Sequence, residues 1–125
     1  MNNKNILLIE DDLFIKQMYV NKIEDLGIKV YASSNLEEST TILEKNRIDL
    51  ILLDLVLPNI SGFEILKLFK KNTRFKDIPI IVLSNLSSQV DVNQAFELGA
   101  TDYMVKSNYT PAEVMRTIKK YLPNN

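Results

Sequence analysis

The sequence predicts a doubly wound α/β domain in which five parallel strands alternate with five helices. Three observations carry this: short apolar runs without polar alternation, helical spacing between them, and cap or stop residues at the junctions. Residues 6–9, 50–53, 80–83 and the weaker 103–105 form the runs. Alternate side chains of a strand point to opposite faces, so a run apolar at every position fits a strand covered on both sides. Residues 29–33 alternate more and read as an edge strand.

Each segment between the runs carries helix start or stop signals. Asp12 stands where a first helix needs an N-cap, and Gly27 stands where that helix must stop. Ser34-x-x-Glu37 has capping-box spacing before a second helix, and Ser61-x-x-Glu64 repeats it before a third. Ser88-x-x-Asp91 is a weaker form of that signal for the fourth helix, which Gly99 ends. Thr110-x-x-Glu113 opens the fifth, with Pro111 at a first helical position that tolerates proline. Val114, Met115, Ile118 and Leu122 then mark its apolar face, and Phe63, Leu66 and Phe69 mark the third helix as core. With no repeat, low-complexity tract or linker, residues 1–125 are expected to form a single domain.

Composition narrows the chemistry. Fifteen basic and 16 acidic side chains leave a net charge of −1, so no global attraction to nucleic acid or anionic lipid is expected. The basic segment Lys70, Lys71, Arg74, Lys76 reads as a solvated loop at a helix end, as do Arg116, Lys119 and Lys120. Cysteine and histidine are both absent, which excludes disulfides, thiolate or imidazole metal sites, and Ser–His–Asp triads. Three glycines are too few for the common phosphate-cradling loops. Residues 1–5 lack a signal-peptide layout, and no apolar stretch approaches a membrane span, so a cytoplasmic protein is expected.

What remains is carboxylate, hydroxyl and ammonium chemistry. Ligands of open α/β sheets bind beyond the carboxyl ends of the strands. Those ends carry Glu10, Asp11 and Asp12 after strand one, Asp54 after strand three, Ser84 after strand four and Lys106 after strand five. In the strand order 2-1-3-4-5 these groups meet in one crevice. Two carboxylates about 4 Å apart repel by roughly 4 kcal/mol at an effective dielectric near 20, so the cluster calls for a cation. A hard divalent ion that keeps several waters, Mg²⁺, suits the oxygen donors. Lys106 adds a charge beyond that need and implies an anionic guest, for which a phosphoryl group fits. Asp54, alone at the end of the most apolar strand, is the candidate nucleophile.

The pattern Glu10-Asp11, Asp54-x-x-x-Pro58-x-x-x-Gly62, Ser84 and Tyr103-x-x-Lys106 resembles the receiver domain of bacterial two-component response regulators along essentially the whole chain. The resemblance implies a flavodoxin-like (βα)₅ fold. It implies that Asp54 accepts a phosphoryl group from a phosphohistidine on a sensor histidine kinase or a histidine phosphotransfer protein. Asp11, Asp54 and the main-chain carbonyl of Val56 would ligate Mg²⁺, with Glu10 acting largely through water. Ser84 and Lys106 would assist the transfer, and Ser84 with Tyr103 would form the switch pair. That pair would reshape the face of the fourth helix, fifth strand and fifth helix toward a downstream protein or a second copy of the chain. Direct nucleic-acid binding and membrane contact are not implied.

Some positions depart from the family pattern. Ser107 follows Lys106 where a proline, often after a cis peptide, is usual, so the loop to Thr110 is expected to take another course. Ser61 replaces a common aspartate before Gly62 and still caps the next helix. Leu55, Asn59 and Leu86 occupy positions that tune dephosphorylation in the family.

Asp12 is read as a cap rather than a metal contact, and a plain edge-strand aromatic is the competing reading of Tyr103. A haloacid dehalogenase-like phosphohydrolase would also use an aspartyl phosphate. It needs a second aspartate two residues beyond the nucleophile, where this chain has Val56. A pseudo-receiver that only binds a partner would have lost part of the site. The favoured reading is therefore a phosphoacceptor regulator and not an enzyme, apart from assisting its own phosphorylation and slow dephosphorylation. The fifth helix ends near Leu122 and three residues remain, so a stand-alone receiver and a piece of a longer regulator both fit.

Overall fold

The structure is a computed structural model and describes residues 3–122. The first two residues of the polar start and the three residues after Leu122 lie outside that range. The elements run β1 (Asn5–Ile9), α1 (Leu13–Glu24), β2 (Lys29–Ser33), α2 (Leu36–Lys45), β3 (Leu50–Leu53) and α3 (Gly62–Lys71). They continue with β4 (Ile80–Ser84), α4 (Gln89–Glu97), β5 (Asp102–Val105), a 3₁₀ turn (Lys106–Asn108) and α5 (Pro111–Tyr121). All pairings are parallel in the order β2-β1-β3-β4-β5, with β2 on an edge as its alternation predicts.

Two cores explain why the central runs are apolar throughout. Leu7, Ile9, Ile51, Leu53 and Val82 face Leu43 of α2, Ile65, Leu66 and Phe69 of α3, and Ala95 of α4. Ile6, Leu8, Leu50, Leu52, Ile81 and Leu83 face Tyr19 and Ile23 of α1 and Val114, Met115 and Ile118 of α5. Every residue of β3 and β4 is buried, as strands sandwiched between helix layers require. Phe75, the one aromatic of the basic segment, is buried edge-to-face on Phe69 at 6.2 Å and is no stacking platform.

The caps hold with one shift of register. Asp12 accepts from the Ile15 amide at 2.9 Å, Ser88 from Asp91, and Thr110 with Glu113 forms a reciprocal box. The Ser34–Glu37 box does not form. Asn35 is the N-cap, accepting from the Glu38 amide at 2.8 Å, while the Glu38 carboxylate takes the Ser34 amide at 3.0 Å. Either residue of the Ser34–Asn35 pair can cap and either glutamate can reciprocate. Burying Ser39 at the end of β2, where its hydroxyl bonds Ser33 at 2.9 Å, accompanies the later register. Ser61 caps α3 through the Phe63 amide rather than that of Glu64.

Two glycines set how helices meet the sheet. Gly99 ends α4 at a φ of +109°, a conformation that side chains rarely adopt. Gly62 serves close approach instead. A Cβ there would lie 2.4 Å from the Asp54 carbonyl oxygen and 2.5 Å from the Leu55 Cα. Only glycine lets the start of α3 rest against the end of β3, where its amide donates to the Leu55 carbonyl at 2.9 Å.

Candidate functional site

Backbone bonds extend the sheet one residue past two strand ends and so fix the acidic residues. The Glu10 amide donates to the Ser33 carbonyl, and the Asp54 amide to the Ile9 carbonyl, each at 3.0 Å. Both side chains are buried at the carboxyl edge of the sheet. Lys106, the first residue beyond β5, reaches across to them. Its ammonium donates to Glu10 Oε1 at 2.6 Å and to Asp54 Oδ2 at 3.0 Å. The remaining oxygens are also engaged, Glu10 Oε2 by the Asp12 amide and Asp54 Oδ1 by the Val56 amide, each at 3.1 Å.

This pairing answers the repulsion expected from the sequence with a protein cation. Burial alone would lower the Lys106 pKa, but its hydrogen bonds to Glu10 and Asp54 outweigh burial and raise it above the ordinary lysine value. Burial pushes the Glu10 carboxyl up, against the opposing pull of Lys106 and of the Asp12 amide.

Glu10, Asp11, Asp12, Asp54, Val56 and Lys106 line an open cleft of about 270 Å³. Asp11 is exposed on its wall, and Asp12 is tied up as the cap of α1. Among the described residues, no three acidic side chains are gathered closely enough to hold a metal ion by themselves. The donor set still fits Mg²⁺, which commonly takes one or two carboxylates and completes its shell with water. Two carboxylates and a nearby main-chain oxygen are within that pattern.

Ser84 and Tyr103 are brought together indirectly. Ser84 is fully buried and its hydroxyl accepts from the Leu86 amide at 3.3 Å, below the cleft rather than on its wall. The Tyr103 ring is buried, and its hydroxyl donates to the Leu86 carbonyl at 2.6 Å. Burial, then the charges of Asp91 and Asp54, raise the Tyr103 pKa. One residue, Leu86, is thus gripped on its amide by Ser84 and on its carbonyl by Tyr103. Asn85 lines the cleft and was not picked out from the sequence, because a polar residue at a strand end carries no distinguishing pattern. The stretch from Lys106 to Asn108 forms a 3₁₀ turn, closed by the Tyr109 amide on the Lys106 carbonyl at 3.4 Å. No cis peptide occurs among the described residues.

Comparison with known proteins agrees with this geometry. The family model described as the response regulator receiver domain matches residues 6–119. The chain belongs to that family. As a receiver domain it is 32% identical to the phosphate regulon transcriptional regulatory protein PhoB of Pseudomonas aeruginosa, over 98% of this chain and 53% of that protein. It is also 32% identical to the transcriptional regulatory protein YvrH of Bacillus subtilis, over 98% of this chain and 50% of that protein. Among solved structures, the chemotaxis protein CheY4 of Vibrio cholerae superposes with a TM-score of 0.88 at 27% identity, covering 95% of this chain and 98% of that one. The receiver domain spans about half the length of the curated relatives it matches. Among the described residues, no helix is long and apolar enough to cross a membrane.

Proposed function

We propose that this receiver domain is a phosphoacceptor switch of two-component signalling, with Asp54 as the acceptor. The observation that supports it most is Lys106, which bridges Asp54 and Glu10 at the floor of an open acidic cleft. A carboxylate oxygen of Asp54 attacks the phosphorus of a phosphohistidine or small acyl phosphate. The bond to the leaving nitrogen or oxygen breaks, and its electron pair leaves with the donor, where a proton is taken up. Lys106 is placed to exchange a carboxylate partner for a phosphoryl oxygen, and the Val56 amide already donates at the same edge.

Asp11, Asp54 and the Val56 carbonyl would hold Mg²⁺, with Glu10 acting through water. When bound, that ion supplies charge neutralisation for the phosphoryl oxygens. Ser84 would release the Leu86 amide and turn to the phosphoryl group. Because Tyr103 holds the same residue, the change would pass to the face of α4, β5 and α5 and alter contact with a downstream protein or a second copy. The donor would be a sensor histidine kinase or histidine phosphotransfer protein in the cytoplasm, and residues 1–125 would act as one receiver unit.

Incubation with Mg²⁺ and acetyl phosphate, followed by intact-mass measurement, tests this reading. The expected result is a gain of one phosphoryl group, removed by hydroxylamine and absent in Asp54→Asn. The same gain in that variant would overturn the assignment.

A further inference from the structure

The basic segment at the end of α3 takes no part in the chemistry of Asp54, and one of its four cations is held unlike the other three. Lys71, Arg74 and Lys76 are exposed, whereas Lys70 is half-buried. The Lys70 stem lies over the end of α4, where a Cβ added to Gly99 would meet its Cγ at 2.8 Å and its Cδ at 3.2 Å. The nitrogen then donates to the Lys76 carbonyl at 3.1 Å and the Ile78 carbonyl at 2.9 Å. Among the described residues, no carboxylate bonds it.

Two neutral acceptors allow what a carboxylate pair forbids. An ammonium has three N–H donors and a neutral amine has two. Both carbonyl bonds therefore survive the loss of one proton, and the lone pair takes the direction of the third N–H. Held by its stem and by two carbonyls, the free amine is an oriented nucleophile. Burial also lowers the Lys70 pKa, with the charge of Asp77 opposing, so more of the free amine is present than at an exposed lysine. Lys106 is the reverse case, because Glu10 and Asp54 hold its proton in place.

The neighbouring charges favour one kind of electrophile. Residues 70–76 carry four cations and no acidic residue, and the nearest acid in sequence, Asp77, is 4.0 Å from the Lys76 ammonium. Such a cluster raises the local concentration of small anions. An acyl phosphate is anionic and carries an acyl carbon with a good leaving group.

We infer that Lys70 is a modification site, acylated on its nitrogen by a small acyl phosphate independently of Asp54. The amine attacks the acyl carbon, the bond from that carbon to the phosphate oxygen breaks, and phosphate leaves with the electron pair. The nitrogen gives one proton to water. The amide product has a single N–H, so one of the two carbonyls loses its partner and the loop before β4 loses half of its tie to Lys70.

The test uses the wild-type chain with acetyl phosphate and EDTA, once folded in buffer and once unfolded in guanidinium chloride. Peptide mass mapping follows acetylation at Lys67, Lys70 and Lys71, which share α3, the two neighbours being exposed controls. In the folded chain Lys70 is expected to react at least about threefold faster than either neighbour, and in the unfolded chain the three rates fall within about twofold of one another. A smaller ratio in the folded chain, or a preference of the same size after unfolding, would overturn the site. Because the amide forms on nitrogen, the result is read separately from any phosphoryl group on Asp54.

Discussion

Lys106 and Lys70 are both drawn off the surface, and their surroundings shift them in opposite directions. Lys106, at the carboxyl end of the sheet, finds two carboxylates, which outweigh burial and raise its pKa. Lys70, near the end of α3, donates instead to two neutral carbonyls, those of Lys76 at 3.1 Å and Ile78 at 2.9 Å. Burial dominates there and lowers its pKa. Each region also has its own glycine. Gly62 makes room beside the Asp54 backbone, and Gly99 makes room for the Lys70 stem, whose Cγ would lie 2.8 Å from an added Cβ. The contrast separates a charge paired with carboxylates in an open cleft, where the proposed chemistry needs one, from a charge that ties a loop. Ion pairing in an open cleft leaves Lys106 able to change partners, whereas carbonyl bonds leave Lys70 a staple.

Removing each lysine should expose that difference most clearly. Lys106→Met is expected to cut phosphoryl uptake from acetyl phosphate by ~10²–10³-fold, the range for loss of a donor to developing charge. Intact-mass time courses measure it, and a rate within twofold of wild type would place Lys106 with Lys70 as a structural residue. Gly62→Ala comes next, at about 3 kcal/mol by urea unfolding, because its Cβ meets backbone that cannot step aside. Gly99→Ala should cost less, about 1–2 kcal/mol, since strain at positive φ adds to a clash with a side-chain stem that can move.

Lys70→Met gives the smallest effect, within about 1 kcal/mol near neutral pH, because a costly buried charge and two hydrogen bonds leave together. Its pH dependence carries a definite sign. With the folded pKa below the unfolded one, the unfolded chain holds more protons between the two values, and stability rises with pH across that window. The wild type should therefore gain on Lys70→Met in urea midpoints as pH rises toward the ordinary lysine value of about 10.4. A loss over that range would contradict the staple reading.

Much of this was legible before the structure. Continuous apolar runs located β1, β3 and β4, and the strand-end rule brought Glu10, Asp54 and Lys106 into one place. Less was legible where two neighbours could do the same job. Asn35 rather than Ser34 caps α2 because cap chemistry is degenerate, and the fold chooses the register. The Lys70 staple was unreadable because its partners are carbonyls eight or fewer residues away in a loop, and a basic run looks solvated in sequence. The strand-end rule puts Ser84 with the cleft, whereas its hydroxyl accepts from the Leu86 amide beneath it.

Chemical trapping identifies the carboxylate that carries the phosphoryl group, proposed to be Asp54. Borohydride reduces an aspartyl phosphate to homoserine, so treatment after acetyl phosphate and Mg²⁺, followed by peptide mass mapping, marks the acceptor. Homoserine is expected at position 54 alone. Conversion at Asp11, Asp12 or any other carboxylate, with Asp54 intact, would contradict it.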